Sequence, residues 1–466
     1  MIQFLLRLTF IFNLILVIFL SSCSSEYHVS DEYKESIRDR KTSRRTVLFI
    51  LIDGLQLKML SEELNQGSLP HLDDFYIKGK DQFFVARTVF PSETYPAITS
   101  LLTESPVSQH GVYGNQIIRE DEHLNFEDPV RFSDLNNMIK NKNIFSRLES
   151  KGLKTVSLDY SFNSGSTAHM FTNDADAALA ILNRDYQFVD GRLIGSLQKL
   201  LEKSKPEDWP DFIYLHLVGV DFTSHDLGPQ AQEVKAYLKF LDKKLSPVFT
   251  ILNSAEKKHS RKVVSLLSSD HGFDKNTSKV IPFSEILEKS GDDFDFLNEE
   301  RFGALRLRGN WSDARKENLI RFIEAQSDLD IVASYSENHV HVHSQKLDTE
   351  FAFKPATNCG KDPFQISFLK SQDVSPGEAV CPGDLKGAEN NLYYPFFISN
   401  LSRYFQASFH PDIVIIPKPG VSFLNRNRGQ HGGPTPGEIF VPLLIHNATL
   451  SDPNHIPGLW ELLGFM

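Results

Sequence analysis

Residues 46–54 read Thr46-Val47-Leu48-Phe49-Ile50-Leu51-Ile52-Asp53-Gly54. An apolar run with many β-branched residues and no polar alternation suits a strand buried on both faces, as in a parallel sheet. The run stops at Asp53-Gly54. Similar short runs recur downstream. Residues 154–158 precede Asp159, 212–218 precede Asp221, 263–267 precede Ser269-Asp270-His271, and 413–416 precede Pro417. Helical patterns lie between several of them, as at 231–252. Strands that alternate with helices imply an α/β sheet with right-handed crossovers. In such sheets ligands gather beyond the carboxyl ends of the strands, where these polar residues fall.

Residues 281–410 have another texture. Strand-like pieces at 304–308 and 339–343 mix with a helix near 312–326 and a loop-rich stretch at 355–392. This segment reads as an inserted accessory lobe that could shape a pocket. The catalytic domain is then expected over 46–280 and 411–466. No internal repeat or low-complexity tract is visible.

The 466 residues carry 49 Lys+Arg and 60 Asp+Glu, a net charge of −11, with 41% apolar and 23% charged residues. This composition excludes a disordered, collagen-like or coiled-coil chain. The acidic balance argues against a nucleic-acid polymer as partner, which needs a basic footprint. Three cysteines are too few for a disulfide scaffold, and no C-x-x-C pair is present. Cys359 and Cys381 read either as a pair in an oxidising compartment or as two buried thiols.

Residues 8–20 (LTFIFNLILVIFL) form an apolar run after Arg7. It is shorter than the ~20 residues of a comfortable membrane span and suits the apolar region of an export signal. It ends in Leu20-Ser21-Ser22-Cys23, which resembles the bacterial lipobox. That resemblance implies a signal peptide over 1–22, a lipid on Cys23 and a polar tether over 23–45. The protein is then exported and held by acyl chains at the periplasmic or outer side of a bacterial membrane. An uncleaved anchor or an ordinary secretory signal is the competing reading.

Asp53, Asp221 with His225, Asp270 with His271, and His431 all stand at expected strand ends or nearby loops. Each alone reads as a cap or a surface residue; six at the same kind of position do not. The stretch Phe90-Pro91-Ser92-Glu93-Thr94-Tyr95-Pro96 places Thr94 before a helical pattern. A hydroxyl there gains from the helix dipole and exposed backbone N–H groups. Free threonine is a poor nucleophile, and a bound metal ion would lower its pKa.

The chain resembles the type I phosphodiesterase/nucleotide pyrophosphatase branch of the alkaline phosphatase superfamily. The carriers are 51–54 (LIDG), 69–75 (LPHLDDF), 90–103, 110–115 (HGVYGN) and, more loosely, 162–166 (FNSGS). Most specific are Pro210-Asp211 and Asp221-Phe222-Thr223-Ser224-His225-Asp226-Leu227-Gly228-Pro229. The resemblance implies an α/β, alkaline phosphatase-like core with a mostly parallel sheet flanked by helices. It implies two divalent metal ions, Zn2+ first among them: one held by Asp221, His225 and His431, the other by Asp53, Thr94, Asp270 and His271. Thr94 would be the nucleophile, and Asn115 would hold a nonbridging oxygen. The donor set has three carboxylates, three imidazoles and no thiolate, which suits Zn2+ or Mn2+. Three aspartates and a threonine alkoxide balance the charge of two divalent ions, so the centre can accept an anionic phosphate ester.

Two departures leave the substrate open. Around His431 the chain reads Gln430-His431-Gly432-Gly433, where the family's eukaryotic members carry another pattern after His-Gly. Residues 159–161 (DYS) lack the cations that phosphomonoesterase relatives place there. A membrane-tethered hydrolase of phosphodiester or pyrophosphate bonds in small, nucleotide-like substrates is the leading expectation. A phosphomonoester, phosphonate or phospholipid head-group hydrolase and an inactive surface-binding lipoprotein are the alternatives. His339, His341 and His343 share one face of an expected strand, and a solvated face is favoured over a metal site. His110 and His216 read as structural.

Overall fold

The computed structural model describes residues 45–466 apart from 79–82, 129–130, 140–141, 160, 170–174, 260, 292, 345–348, 357–364, 369–378, 381–393, 425–427, 451, 453–454 and 466. Cys23 with the signal and tether over 1–44, and both Cys359 and Cys381, lie outside the described residues.

The main sheet comprises β1 (Arg45–Ile52), β2 (Phe83–Arg87), β3 (Thr155–Leu158), β4 (Ala168–His169), β5 (Phe212–Leu217), β6 (Lys262–Ser268) and β7 (Phe440–His446), in the order β2-β7-β6-β1-β5-β3-β4. Neighbours from β6 to β4 are parallel, and β7 runs antiparallel to both β6 and β2. The lack of alternation in β1 has a direct cause. Phe49 and Leu51 enter one apolar cluster, whereas Leu48, Ile50 and Ile52 enter another on the opposite face. A strand's side chains alternate between faces, so a strand covered on both sides must be apolar throughout.

Helices supply the cover. On one face lies α1 (Thr94–Thr103), burying Ala97, Ile98, Leu101 and Leu102. On the other lie α2 (Tyr186–Lys203) and α4 (Gln232–His259). In α4 the buried stripe Val234, Leu238, Leu241, Leu245, Val248 and Leu252 follows helical spacing. Between α2 and α4 in the chain, α3 (Gly219–Leu227) starts directly after β5. No helix among the described residues is long and apolar enough to cross a membrane.

A second sheet of eight antiparallel strands draws most of its chain from 294–380. Its order puts Ile413–Pro417 between Gly303–Leu307 and Leu329–Ser336. The sequence reading set 413–416 among the parallel strands, within the segment that starts at 411. The strand instead belongs to the second sheet, and the reason is physical. Ile413 and Ile415 enter one apolar cluster while Val414 and Ile416 enter another, so it too is buried on both faces. Burial on two faces produces the same run of residues in either kind of sheet. The two sheets share a core: Phe49 and Leu266 of the first lie in one cluster with Ala304, Ile331 and Val414 of the second.

Arg301 ties the second sheet to the loop before β7. It is buried, with Nε donating to Glu438 at 3.2 Å and Nη2 lying 3.3 Å from Asp274. Its Nη1 donates to the carbonyls of Lys418 and Val421. Glu438 in turn accepts from the N–H groups of Gly433 and Thr435, which shapes the loop that carries His431. Arg301→Met should lower the unfolding free energy by about 3–5 kcal/mol, because it strands the buried carboxylate of Glu438 and takes a partner from the half-buried Asp274. Urea unfolding followed by circular dichroism measures this; a loss below ~1 kcal/mol would contradict the tie.

Candidate active site

The carboxyl ends of β1, β5 and β6 meet at one edge of the sheet. Asp53 leaves β1 there. Gly54 follows with φ +67°, and a Cβ on it would lie 2.9 Å from Asp221 Oδ1 and 2.6 Å from the Phe273 ring. Glycine at this turn lets Asp53 and Asp221 approach. Asp190 of α2 accepts the N–H groups of Val218 and Gly219 at 3.0 and 3.1 Å and the Tyr237 hydroxyl at 2.9 Å. It thereby satisfies backbone donors at the start of α3. Asp221 and His225 sit one turn apart on α3 and share a face. Asp270 and His271 follow β6, and His431 lies in the loop before β7.

The three imidazoles are set alike. Nδ1 of His225 faces the Gly429 carbonyl at 2.9 Å, Nδ1 of His271 that of Gly272 at 3.1 Å, and Nδ1 of His431 that of Ser92 at 3.0 Å. A carbonyl only accepts, so each Nδ1 donates. That leaves Nε2 of each ring facing the aspartates, the arrangement that suits metal ligation. Their rings stack at 3.7 Å between centroids.

Around Nε2 the donors fall into two sets. His225 Nε2 is 3.2 Å from His431 Nε2 and 3.4 Å from Asp221 Oδ2, and His431 Nε2 is 3.8 Å from Asp221 Oδ1. His271 Nε2 is 3.4 Å from Asp53 Oδ1, 3.3 Å from Asp270 Oδ2 and 3.2 Å from Thr94 Oγ1. Ligands ~2.0–2.2 Å from a four-coordinate zinc ion stand roughly 3.3–3.6 Å apart. The spacing therefore suits metal coordination, and the metal-ligating groups found among the described residues overlap: Asp53 with Asp270 and His271, Asp221 with His271 and His431, and His225 with Glu300 and His431.

The acids point to the same conclusion. Asp53 Oδ1, Asp221 Oδ1 and Asp270 Oδ2 are buried with no hydrogen-bond partner among the described residues. Burial, then the charges of Asp270 and Asp221, push the Asp53 carboxyl well above the usual range despite His216. Burial raises Asp221 as well. Burial and the neighbouring His271 and His225 drive His431 well below an ordinary histidine. Burial lowers His225 too, but Asp221 and Glu300 outweigh it and hold the ring at about 9. A divalent cation at each position would relieve these unfavourable charges together.

Thr94 opens α1, with its hydroxyl half-buried beside His271. Asn115 is turned by its neighbours: Oδ1 accepts from the Tyr95 N–H at 3.1 Å, and its own N–H donates to Glu93 at 2.8 Å. Its Nδ2 is left as the donor end, 3.5 Å from Glu127. Seven of the residues named from sequence thus come together, Asp53, Thr94, Asp221, His225, Asp270, His271 and His431, and Asn115 is tied to the start of α1 through the Tyr95 N–H. His339, His341 and His343 stand on the strand His339–Ser344 of the second sheet, outside the metal-ligating groups found among the described residues.

Sequence reasoning missed several acids. Glu300 groups with His225 and His431, its carboxylate 3.6 Å from His225 Nδ1. Glu299 accepts from the Gln116 N–H, and burial with Glu127 pushes it up to about 8. Burial and Glu299 raise Glu93 well above its usual range. Glu299 and Glu300 come from the segment read as an accessory lobe, where no motif marked them. His216, read as structural, touches Asp53. His110 is structural: Ser100 and the Val112 N–H occupy its two nitrogens.

The model of the type I phosphodiesterase / nucleotide pyrophosphatase family matches residues 47–438. Among solved structures, murine ectonucleotide pyrophosphatase / phosphodiesterase 5 in complex with AMP aligns at 15% identity and a TM-score of 0.60, covering 90% of this chain and 94% of that one. Phosphonoacetate hydrolase from Sinorhizobium meliloti 1021 in complex with phosphonoformate aligns at 16% identity and a TM-score of 0.58, covering 91% and 95%. These likenesses show the shared alkaline phosphatase-like α/β fold. The catalytic subunit of human GPI ethanolamine phosphate transferase 2 is 24% identical over 261 residues, 53% of this chain. The chain spans 24% of the length of that relative.

Metal binding should release protons. The metal-free protein holds a proton on His225 below about pH 9, and the raised Asp53 and Asp221 carboxyls hold theirs to higher pH than ordinary acids. Ligation displaces these protons, so affinity should weaken steadily as pH falls from 9 to 6. Calorimetric zinc titrations in buffers of different ionisation enthalpy count the protons. An affinity independent of pH across that range would contradict the assignment.

Proposed function

The chain belongs to the type I phosphodiesterase / nucleotide pyrophosphatase family, and from that membership we propose a two-metal hydrolase that cleaves phosphodiester or pyrophosphate bonds in nucleotide-like substrates through a phospho-threonine intermediate. One observation carries the reading. The Thr94 hydroxyl lies 3.2 Å from His271 Nε2, alongside Asp53 and Asp270, as a further donor around one metal position.

Asp221, His225 and His431 would hold one divalent ion, and Asp53, Asp270, His271 and Thr94 the other. Bound there, the ions supply Lewis-acid polarisation of the entering, leaving and nonbridging oxygens. Thr94 attacks phosphorus in line, the bond to the leaving oxygen breaks, and that group departs protonated. Water then attacks the phospho-threonine from the vacated side, releasing the phosphate product and restoring the hydroxyl. The amino end of α1 favours the negative charge that develops on Thr94. Asn115 Nδ2 donates to the equatorial oxygens, where charge builds in the transition state. A monoanionic diester suits the site better than a dianionic monoester, because residues 159–161 (DYS) supply no cation to grip the extra charge. We assign the protein to a membrane surface on the strength of the lipobox-like Leu20-Ser21-Ser22-Cys23, with 23–45 as tether.

A second reading of the substrate has its own support. Glu127, Glu299 and Glu300 gather beside Asn115 and His225, and the groups weighing most on Glu299 are acids and an amide. A diester whose alcohol carries an ammonium group would meet these acids there and favour their ionised forms. The human relative's name, an ethanolamine phosphate transferase, agrees with such a head group.

Thr94→Ala should cut turnover of a chromogenic thymidine phosphodiester by ~10³-fold or more while zinc content stays at the unaltered level. Full activity in that variant would remove Thr94 as nucleophile. In a substrate panel, Glu127→Gln should raise KM for an ethanolamine or choline diester by about fivefold, the scale of an exposed ion pair, and leave the thymidine diester unchanged. An equal effect on both substrates would reject the head-group reading.

A further inference from the structure

Asp159, His216 and Asp53 form a chain across three neighbouring strands. Asp159 follows β3, His216 lies in β5, Asp53 follows β1, and β5 runs between the other two. His216 Nδ1 is 2.6 Å from Asp159 Oδ2, and His216 Nε2 is 3.0 Å from Asp53 Oδ2. The three residues are 1%, 6% and 4% exposed in the order Asp159, His216, Asp53. Asp159 is held in turn, for its Oδ1 accepts the N–H groups of Ser161 and Phe162 at 2.5 and 2.7 Å.

Both nitrogens of His216 face carboxylate oxygens, which accept, so the ring donates at each end. A buried, doubly donating imidazole in an otherwise apolar strand is costly without such partners. Its neighbours Leu215 and Leu217 point into the opposite apolar cluster. The pairing consumes one oxygen of Asp53 and leaves the other. That other oxygen, Oδ1, has no hydrogen-bond partner and lies 3.4 Å from His271 Nε2.

We propose that His216 and Asp159 are positioning residues for Asp53: they fix its carboxylate so that Oδ1, and not Oδ2, meets the metal shared with Asp270 and His271. This rests on the two-metal reading of the site. Partners that orient a ligand from behind in this way are worth ~10–100-fold in metal affinity. The proposal also accounts for an acid after β3 in this chain, since Asp159 turns away from substrate to hold His216.

The test is zinc titration of the full chain against a chromophoric chelator, with thermal unfolding alongside. His216→Ala should weaken one of the two zinc ions by ~10–100-fold and leave the other unchanged. His216→Gln, which keeps a donor toward Asp53, should recover part of the loss. Asp159→Asn should weaken the same ion by a smaller factor, and it carries the test if His216→Ala does not fold. Unchanged affinity for both ions in these variants overturns the proposal, as does an equal loss at both, which would mark a merely structural role. If the unaltered protein binds no zinc, the two-metal reading itself falls. If it binds two and the variants match it, only the positioning role falls.

Discussion

Three buried carboxylates, Asp53, Asp221 and Asp270, each leave an oxygen without a hydrogen-bond partner at one edge of one sheet. An unpaired buried acceptor costs ~1–3 kcal/mol, and more when it is charged. Like charges nearby add to the cost. A fold tolerates this only when something else supplies the missing partner, and divalent cations would do so for all three at once. The remainder of the site is arranged around that requirement. Parallel strands bring Asp53 and Asp270 to one level, glycine at position 54 admits Asp221, and the loop pinned by Arg301 and Glu438 delivers His431.

The imidazoles of the site are oriented as firmly as its carboxylates. Backbone carbonyls at Gly429, Gly272 and Ser92 take the Nδ1 protons of the three histidines. Each ring is thus oriented by the fold itself, and the entropy of ordering it is met by folding. Asn115 follows the same logic, since the Tyr95 N–H fixes its oxygen and so exposes its nitrogen. Asp221 and His225 stand on one helix and Thr94 opens another, while the loops that carry Asn115, Asp270, His271 and His431 are tied by hydrogen bonds to the surrounding chain.

What sequence could reveal follows from how local each signal is. Asp53, Asp221, Asp270 and His271 were legible because a polar residue directly after an apolar run marks a strand end. Thr94 and Asn115 were legible through family motifs. The second sheet's claim on Ile413–Pro417 was not, since a central strand buried on both faces reads the same in either sheet. Glu299 and Glu300 reach the site only through tertiary packing, from a segment without a motif. His216 is hidden inside an apolar strand, and only its two carboxylate neighbours disclose its setting.

A crystal structure with anomalous data collected at the zinc edge tests the central claim most directly. The account predicts two peaks, one among Asp221, His225 and His431 and one among Asp53, Thr94, Asp270 and His271. Absence of both peaks from zinc-loaded crystals, or peaks bound elsewhere with these side chains left unligated, would contradict it.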